Sequence, residues 1–311
     1  MKDSNIKPNR ITYNSLIDTC VKTRKMHMAW RFYDEMIKNS IIPDNFTYSI
    51  LINGIKSNNN RKRELLKAIN LLEQLQRDTG FQPDEILYNS LIDACVKFGE
   101  INKCLSLFEE MKKRNIKASS VTYGILIKAY GKNNDLVKAF KIFDLMKQNK
   151  VKINAVTYGC MINACIKNDR LDLAIVLSKK MKEDGIYLNT IVYTTLIKGF
   201  SKARNLKEAL RIFDEMKDNH RSKPNLITFN CLINACVRSS DMDKAWEIYE
   251  EMKQGKYRPD LITFSTLIKG CCRSVDLEQA HSLFMKMLDR RIIPDEAIMN
   301  LFLESCFKSL K

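Results

Sequence analysis

An apolar residue, a Thr, an aromatic ring and a small polar residue follow one another at Ile11-Thr12-Tyr13-Asn14, and variants of this theme recur along the chain. The fourth residue is the one whose chemistry changes: Asn14, Ser49, Asn89, Gly124, Gly159, Thr194, Asn230 and Ser265. A slot that varies inside a constant frame is where an array of repeats can encode different ligand units. A second variable slot closes each repeat, at Asp44, Asp84, Ser119, Asn154, Asn189, Asn225, Asp260 and Asp295. Asn, Ser and Thr side chains donate and accept hydrogen bonds, and two or three of them in one repeat can read the edge of one base. The closing slot has an ordinary reading as well, because Asp, Asn and Ser are favoured caps of a helix N-terminus.

A cation accompanies these slots. Lys22, Lys97, Lys132, Lys167, Lys202, Arg238 and Arg273 occupy one register, with Ser57 in the second repeat. One cation per repeat makes a ladder that suits a polyanion with regularly spaced charges. The alternative is a cation beside a helix C-terminus, where the dipole favours it. The ladder gives an ordered part to a formal net charge of +16.

Such registers need a scaffold that repeats them. The theme starts at Ile11, Phe46, Ile86, Val121, Val156, Ile191, Ile227 and Ile262, with a weaker ninth copy at Ala297. Every step is 35 residues except the second, of 40, and the sixth, of 36. The extra residues fall in Ser57-Asn58-Asn59-Asn60-Arg61-Lys62-Arg63 and in Asn219-His220-Arg221-Ser222-Lys223, whose composition predicts surface turns. At about 150 residues per domain the length suggests two domains, but a stacked array has no internal boundary. Each repeat holds two apolar patterns of helical spacing, such as Leu16, Ile17 and Cys20, then Leu136, Ala139, Phe140, Phe143 and Met146 in another copy. Pro43, Pro83, Pro224, Pro259 and Pro294 end five repeats, each followed by Asp or Asn. Ala29, Ala68, Ala139, Ala174, Ala209, Ala245 and Ala280, with Cys104, predict a close approach between helices. Met36, Met111, Met146, Met181, Met216, Met252 and Met287 predict core filling. The predicted fold is all-α, a right-handed α-α superhelix (α-solenoid) of helix-turn-helix repeats.

Several classes of function are excluded by what this frame lacks. Hydrophobic residues at 45% and charged residues at 28% are globular proportions rather than disordered ones. No apolar run approaches the roughly 18 residues of a membrane span. Cys20, Cys95, Cys165, Cys236, Cys271 and Cys306 share one register, and Cys160 and Cys231 another. Without CxxC spacing or a Cys-His cluster they read as small buried groups in a reducing compartment, not as metal ligands or disulfides. His27, His220 and His281 sit at unrelated registers. No phosphate loop, nucleophile elbow or carboxylate pair is present, so neither catalysis nor a cofactor is predicted.

The Val-Thr-Tyr-x-x-Leu-Ile theme, the Asp-x-x-x-Ala-x-x-x-Phe-Asp-x-Met second helix and the Pro-Asp ending closely resemble the pentatricopeptide repeat (PPR) family, as a P-type array. On this resemblance residues 10–44, 45–84, 85–119, 120–154, 155–189, 190–225, 226–260 and 261–295 are eight repeats. Residues 1–9 are then the end of a preceding repeat and residues 296–311 a partial ninth. The resemblance implies sequence-specific binding of single-stranded RNA, one nucleotide per repeat, the chain running parallel to the RNA from 5′ to 3′. It implies that the fourth theme residue bonds the base and the closing residue supports it. It also implies that Ile11, Phe46, Ile86, Val121, Val156, Ile191, Ile227 and Ile262 wedge between bases, and that the cation ladder meets phosphates. By its residues alone, the apolar stripe suits an ordinary core equally well.

Carried over repeat by repeat, Asn14 with Asp44 resembles a uridine reader, Ser49 with Asp84 a guanosine reader and Asn89 with Ser119 a cytidine reader. Gly124 with Asn154, Gly159 with Asn189 and Thr194 with Asn225 lean to adenosine. Asn230 with Asp260 again resembles a uridine reader and Ser265 with Asp295 a guanosine reader. The implied target is 5′-UGCAAAUG-3′. The resemblance further implies a mitochondrial or plastid role in RNA processing, stability or translation, although no transit peptide is legible. The competing reading is a helical-repeat scaffold for protein partners. Ile6-Lys7-Pro8-Asn9 and the apolar Leu301, Phe302, Leu303 and Phe307 read as cut ends of a longer array, open to protein partners.

Overall fold

The computed structural model describes residues 7–56, 62–79 and 81–309. Among these residues there are seventeen α-helices and no strand. Residues 1–153 and 154–311 form two compact units, each taken by itself below.

In the first unit the helices are α1 (Arg10–Lys22), α2 (Met26–Lys38), α3 (Asn45–Lys56), α4 (Lys62–Thr79), α5 (Glu85–Phe98), α6 (Ile101–Lys113), α7 (Ser120–Lys132) and α8 (Leu136–Gln148). The second unit has α9 (Ala155–Lys167), α10 (Leu171–Glu183), α11 (Thr190–Lys202), α12 (Leu206–Asp218), α13 (Leu226–Arg238), α14 (Met242–Gln254), α15 (Leu261–Arg273), α16 (Leu277–Asp289) and α17 (Glu296–Ser309). Each odd-numbered helix from α1 to α15 packs on the even-numbered helix that follows it and, within a unit, on the next odd-numbered one. The odd-numbered helices are therefore sandwiched, and the even-numbered ones cover them.

That difference is written in the side chains. Ala29, Ala68, Ala139, Ala174, Ala209, Ala245, Ala280 and Cys104 are buried, as are all seven repeat-spaced methionines. A second register of small residues on the odd-numbered helices, Gly54, Ala94, Ala129, Ala164, Gly199, Ala235 and Gly270, is equally buried. A Cβ on Gly54 would stand 2.5 Å from Met26 Sδ and 2.7 Å from Val21 Cγ2, so the neighbouring hairpin leaves no space for one. Of the cysteines, Cys95, Cys165, Cys236 and Cys271 are fully buried. Cys20 is only half-buried because α1 has no earlier helix on its outer side among the described residues. Cys306 and Phe307 lie outside the residues whose side chains are described.

Turn chemistry is equally regular. The carbonyls of Cys20, Cys95, Tyr130, Cys165, Phe200, Cys236 and Cys271 accept backbone N–H groups from five residues on. This closure places Arg24, Gly99, Asn134, Asp169, Arg204, Ser240 and Val275 in the left-handed region, with φ between 56° and 77°. The two insertions behave differently. The Asn219–Lys223 stretch is a turn in which Ser222 is buried. In the other, residues 57–61 lie outside the described residues, and Lys62 and Arg63 are helical rather than in a turn. There α4 has 18 residues where the other even-numbered helices have 13. At the end of the chain, Phe302 stacks on Phe284 with ring centroids 4.9 Å apart, so α16 covers part of a face that reads as open in the sequence.

Candidate nucleic-acid interface

The closing residues are helix caps. Asp44, Asp84, Asn154, Asn189, Asn225, Asp260 and Asp295 each accept the backbone N–H of the third residue onward, at 2.8–3.0 Å. Ser119 accepts from Val121 N at 3.2 Å. The Thr of the theme completes the box at Asp44, Ser119, Asn225 and Asp260; Thr263 Oγ1, for example, accepts from Asp260 N at 3.2 Å.

Two caps also hold the variable residue of their own repeat. Asn14 Nδ2 donates to Asp44 Oδ1 at 3.4 Å, and Asn230 Nδ2 donates to Asp260 Oδ1 at 3.0 Å. In the first network Thr47 Oγ1 lies 2.7 Å from Asn14 Oδ1 and 2.8 Å from Asp44 Oδ1, and its single proton serves one of them at a time. Thr263 Oγ1 repeats this at 2.7 Å from Asn230 Oδ1 and 2.9 Å from Asp260 Oδ1. Burial acts to raise the Asp260 pKa, but the donors Thr263 N, Thr263 Oγ1 and Asn230 Nδ2 outweigh it and hold it below the ordinary carboxylate value. Asp44 is lowered in the same way by Thr47 and Asn14, with the positive charge of Arg10 adding to the effect. Asn14 and Asn230 are themselves buried, presenting an edge rather than a free side chain.

The remaining pairs are looser. Thr194 Oγ1 lies 2.8 Å from Thr228 Oγ1, which lies 3.0 Å from the Asn225 cap, so this pair is bridged by a hydroxyl. Asn89 Nδ2 donates to Glu85 at 3.1 Å rather than to Ser119, and Asn89 Oδ1 is buried without a partner among the described residues. Ser265 turns its hydroxyl onto Leu261 O. Among the described residues no direct bond joins Ser49 to Asp84 or Ser265 to Asp295. Gly159 has space: a Cβ there would meet nothing nearer than Val192 Cγ2 at 3.6 Å.

The apolar stripe is decided by exposure. In the first unit Ile11, Phe46, Ile86 and Val121 are 74%, 63%, 68% and 57% exposed. In the second, Val156, Ile191, Ile227 and Ile262 are 64%, 70%, 62% and 59% exposed. None is core. Each stands one helical turn or less from a variable slot, on the first turn of an odd-numbered helix.

The cation ladder is less uniform than its register. Lys22 is held by Asp18 at 2.6 Å and Lys202 by Asp169 at 2.5 Å. Lys97 donates to Lys56 O, and Lys132 donates to Val96 O at 3.2 Å, each on the last turn of the preceding odd-numbered helix. These two caps fit the helix-dipole reading. Lys167, Arg238 and Arg273 are exposed and have no carboxylate partner among the described residues. A further charged register was not singled out in the sequence, four residues before the ladder: Asp18, Asn53, Asp93, Lys128, Asn163, Lys198, Asn234 and Lys269. There Asp93 bridges Lys56 and Lys128, both at 3.2 Å. The same 35-residue spacing is the signal that could have found it.

Among the described residues no group of three or more His, Cys, Asp and Glu side chains is arranged to hold a metal. No described helix is long and apolar enough to cross a membrane.

Comparison with known proteins adds the following. The model of the PPR repeat family matches residues 8–56, 83–132, 118–167 and 224–273. The pentatricopeptide repeat domain model matches residues 176–239, and a single-repeat model matches 156–186 and 262–292. A chloroplastic pentatricopeptide repeat-containing protein of Arabidopsis thaliana is 27% identical over 119 residues, 38% of this chain and 15% of that protein. The mitochondrial pentatricopeptide repeat-containing protein 1 of Mus musculus is 27% identical over 37% of this chain and 16% of its own length. The chain thus aligns with only a small part of these relatives. Among solved structures, PPR10 in complex with an 18-nt psaJ RNA element superposes with a TM-score of 0.76 at 22% identity, over 99% of this chain and 44% of that one. At that identity the likeness is one of fold.

Proposed function

Because the chain belongs to the pentatricopeptide repeat family, we propose that it binds single-stranded RNA sequence-specifically, one nucleotide per repeat, and acts by occupancy rather than catalysis. The observation that carries this reading is the stripe of eight large apolar side chains, each more than half exposed, beside a polar slot that changes from repeat to repeat. A soluble fold leaves such a stripe unburied at a cost that stacking with splayed bases recovers.

The slots support the code. Asn14 with Asp44 and Asn230 with Asp260 offer a fixed amide edge with a donor and an acceptor, which suits the donor-acceptor face of uracil. Asn89 with Ser119 is the cytidine pair. Thr194 with Asn225 is the adenosine pair, and Gly124 with Asn154 and Gly159 with Asn189 lean the same way. With Ser49–Asp84 and Ser265–Asp295 as guanosine pairs, the target is 5′-UGCAAAUG-3′. The eight repeats read in the P-type register, residues 10–295, and the chloroplastic and mitochondrial names of the relatives support an organellar role in RNA processing, stability or translation.

The test is binding to labelled 5′-UGCAAAUG-3′, its scramble and duplex RNA across a salt series. Preference for the intended single strand is expected. At about 0.7 per phosphate contact, the slope of log K against log salt is about −2 if only Lys167, Arg238 and Arg273 meet phosphates and about −5 if the whole ladder does. Equal affinity for the scramble overturns the code; no RNA binding overturns the function and leaves the protein scaffold.

A further inference from the structure

Within the second unit, a cleft of about 290 Å³ is lined by Arg204, Asn234, Val237, Arg238, Lys269 and Arg273. Four of these six residues are cations and none is acidic. Arg238 and Arg273 belong to the ladder, Lys269 to the register four residues earlier, and Arg204 to the left-handed turn after α11. All four are exposed, and none has a carboxylate partner among the described residues. By contrast Lys202, at the end of α11, is held by Asp169, and in the first unit Lys22, Lys56 and Lys128 are all held by Asp18 or Asp93.

Helix dipoles account for one cation at each helix end, since their effect fades within the last turn. They do not account for four cations around one cleft, with Lys269 a full turn before the end of α15 and Arg204 in a turn. Like charges gathered in one place repel, and an anion relieves that repulsion. Arg forks favour the oxygens of phosphate in particular. At about 30 Å³ per water, a phosphate group displacing on the order of three waters fills about a third of this cleft. There is room for two neighbouring phosphates.

We propose that this cleft is a phosphate clamp, holding consecutive backbone phosphates beside repeats six to eight and so anchoring the 3′ part of the bound strand. The identity of the partner as RNA rests on the function proposed above; the phosphate chemistry rests on the cleft alone. Free polyphosphate and an RNA backbone present the same oxygens, and the experiment separates them.

The variant Arg204→Gln/Lys269→Gln removes two exposed clamp cations and spares the ladder; Lys38→Gln/Lys113→Gln removes the same charge from exposed ends of α2 and α6. Circular dichroism checks that both fold. Inorganic tripolyphosphate, titrated by calorimetry at low salt, is expected to bind the wild type, to lose at least tenfold in the clamp variant and less than twofold in the control. With 5′-UGCAAAUG-3′ the salt slope is expected to shrink by about 1.4 in the clamp variant, about 0.7 for each lost contact, and to stay unchanged in the control. Absence of tripolyphosphate binding, or equal losses in both variants, overturns the clamp. RNA binding with an unchanged slope in the clamp variant also overturns it while leaving the RNA reading intact. Clamp-dependent tripolyphosphate binding without any RNA binding supports the clamp and overturns the RNA reading.

Discussion

Repeat seven can be rebuilt as repeat six with two substitutions. Asn230 is bonded to Asp260 at 3.0 Å, and both meet Thr263. One repeat earlier, Thr194 meets Thr228 at 2.8 Å, and the Asn225 cap accepts Thr228 N at 2.9 Å. Thr263 stands in its repeat where Thr228 stands in the other, so Asn230→Thr with Asp260→Asn recreates a network that this fold already contains. The cap survives, since Asn serves as well as Asp. The losses are one side-chain hydrogen bond, about 1 kcal/mol, and a carboxylate at a helix N-terminus, about 0.3–1 kcal/mol. A total near 2 kcal/mol leaves the array folded. A well-placed pair of side chains discriminates between bases by about 1–3 kcal/mol, so moving it is expected to change relative affinity by tenfold or more. Fluorescence anisotropy with four RNAs, 5′-UGCAAANG-3′ with each base at N, measures this. The wild type is expected to favour U and the variant A. The same ranking in both proteins would refute the assignment of base reading to these two residues.

Four further outcomes are expected. Ile191→Ala and Ile227→Ala, at 70% and 62% exposure, should change stability by less than about 0.5 kcal/mol while weakening RNA binding by about tenfold, in line with about 1–3 kcal/mol per stacked base; a clear fall in Tm with unchanged RNA affinity would return them to the core. Val275 is β-branched at φ 61°, so Val275→Gly should raise stability by about 0.5–1 kcal/mol in urea unfolding, the left-handed strain of about 1–2 kcal/mol less the entropy glycine costs; a loss refutes this. Burial pushes the Cys95, Cys104 and Cys236 thiols up to about 12, so at neutral pH they should label with a disulfide reagent only on unfolding, after half-buried Cys20, Cys160, Cys231 and Cys272; mass spectrometry that finds Cys95 labelled first contradicts the packing. The depressed Asp44 and Asp260 carboxylates contribute stability that is present above the unfolded value of about 3.9 and is lost as pH falls through their lower folded values. Base preference at positions one and seven should therefore be flat from pH 5 to 8, and its loss by pH 5 would show that these carboxylates are not held in the ionised state.

Much of the scaffold was legible because each repeat states it again. Ala139, Met146 and Cys165 sit where the period puts them, and the caps follow from Asp, Asn or Ser ahead of a helical pattern. Exposure was not legible. Val156 and Met161 are both apolar residues of α9, yet one faces solvent and the other the core, because only the neighbouring helices decide which face is covered. Nor could the sequence say which cations are spoken for. Lys97 and Lys167 share a register, but the first reaches a carbonyl of the preceding repeat and the second is exposed. The long second repeat had a similar ambiguity: its polar composition suggests a turn, while the structure puts Lys62 and Arg63 into an extended α4.

The two variable slots are not equivalent, and the structure explains why. Every closing residue starts the odd-numbered helix of the following repeat, so its side chain must accept an N–H of the first turn whatever it does for a ligand. That requirement confines it to Asp, Asn and Ser, the set found at all eight closing positions. The fourth theme residue carries no such duty and ranges from Asn to Thr to Gly. Where an Asn stands there, as at Asn14 and Asn230, the cap fixes its amide through a hydrogen bond. Within those units the orientation of one repeat's reading group is set by the helix start of the next. Repeats of this kind are coupled through their caps as well as through their cores. A reading face built this way can be recoded within the cap set without disturbing the stack, and a terminal repeat keeps its reading group oriented only while the helix after it is folded.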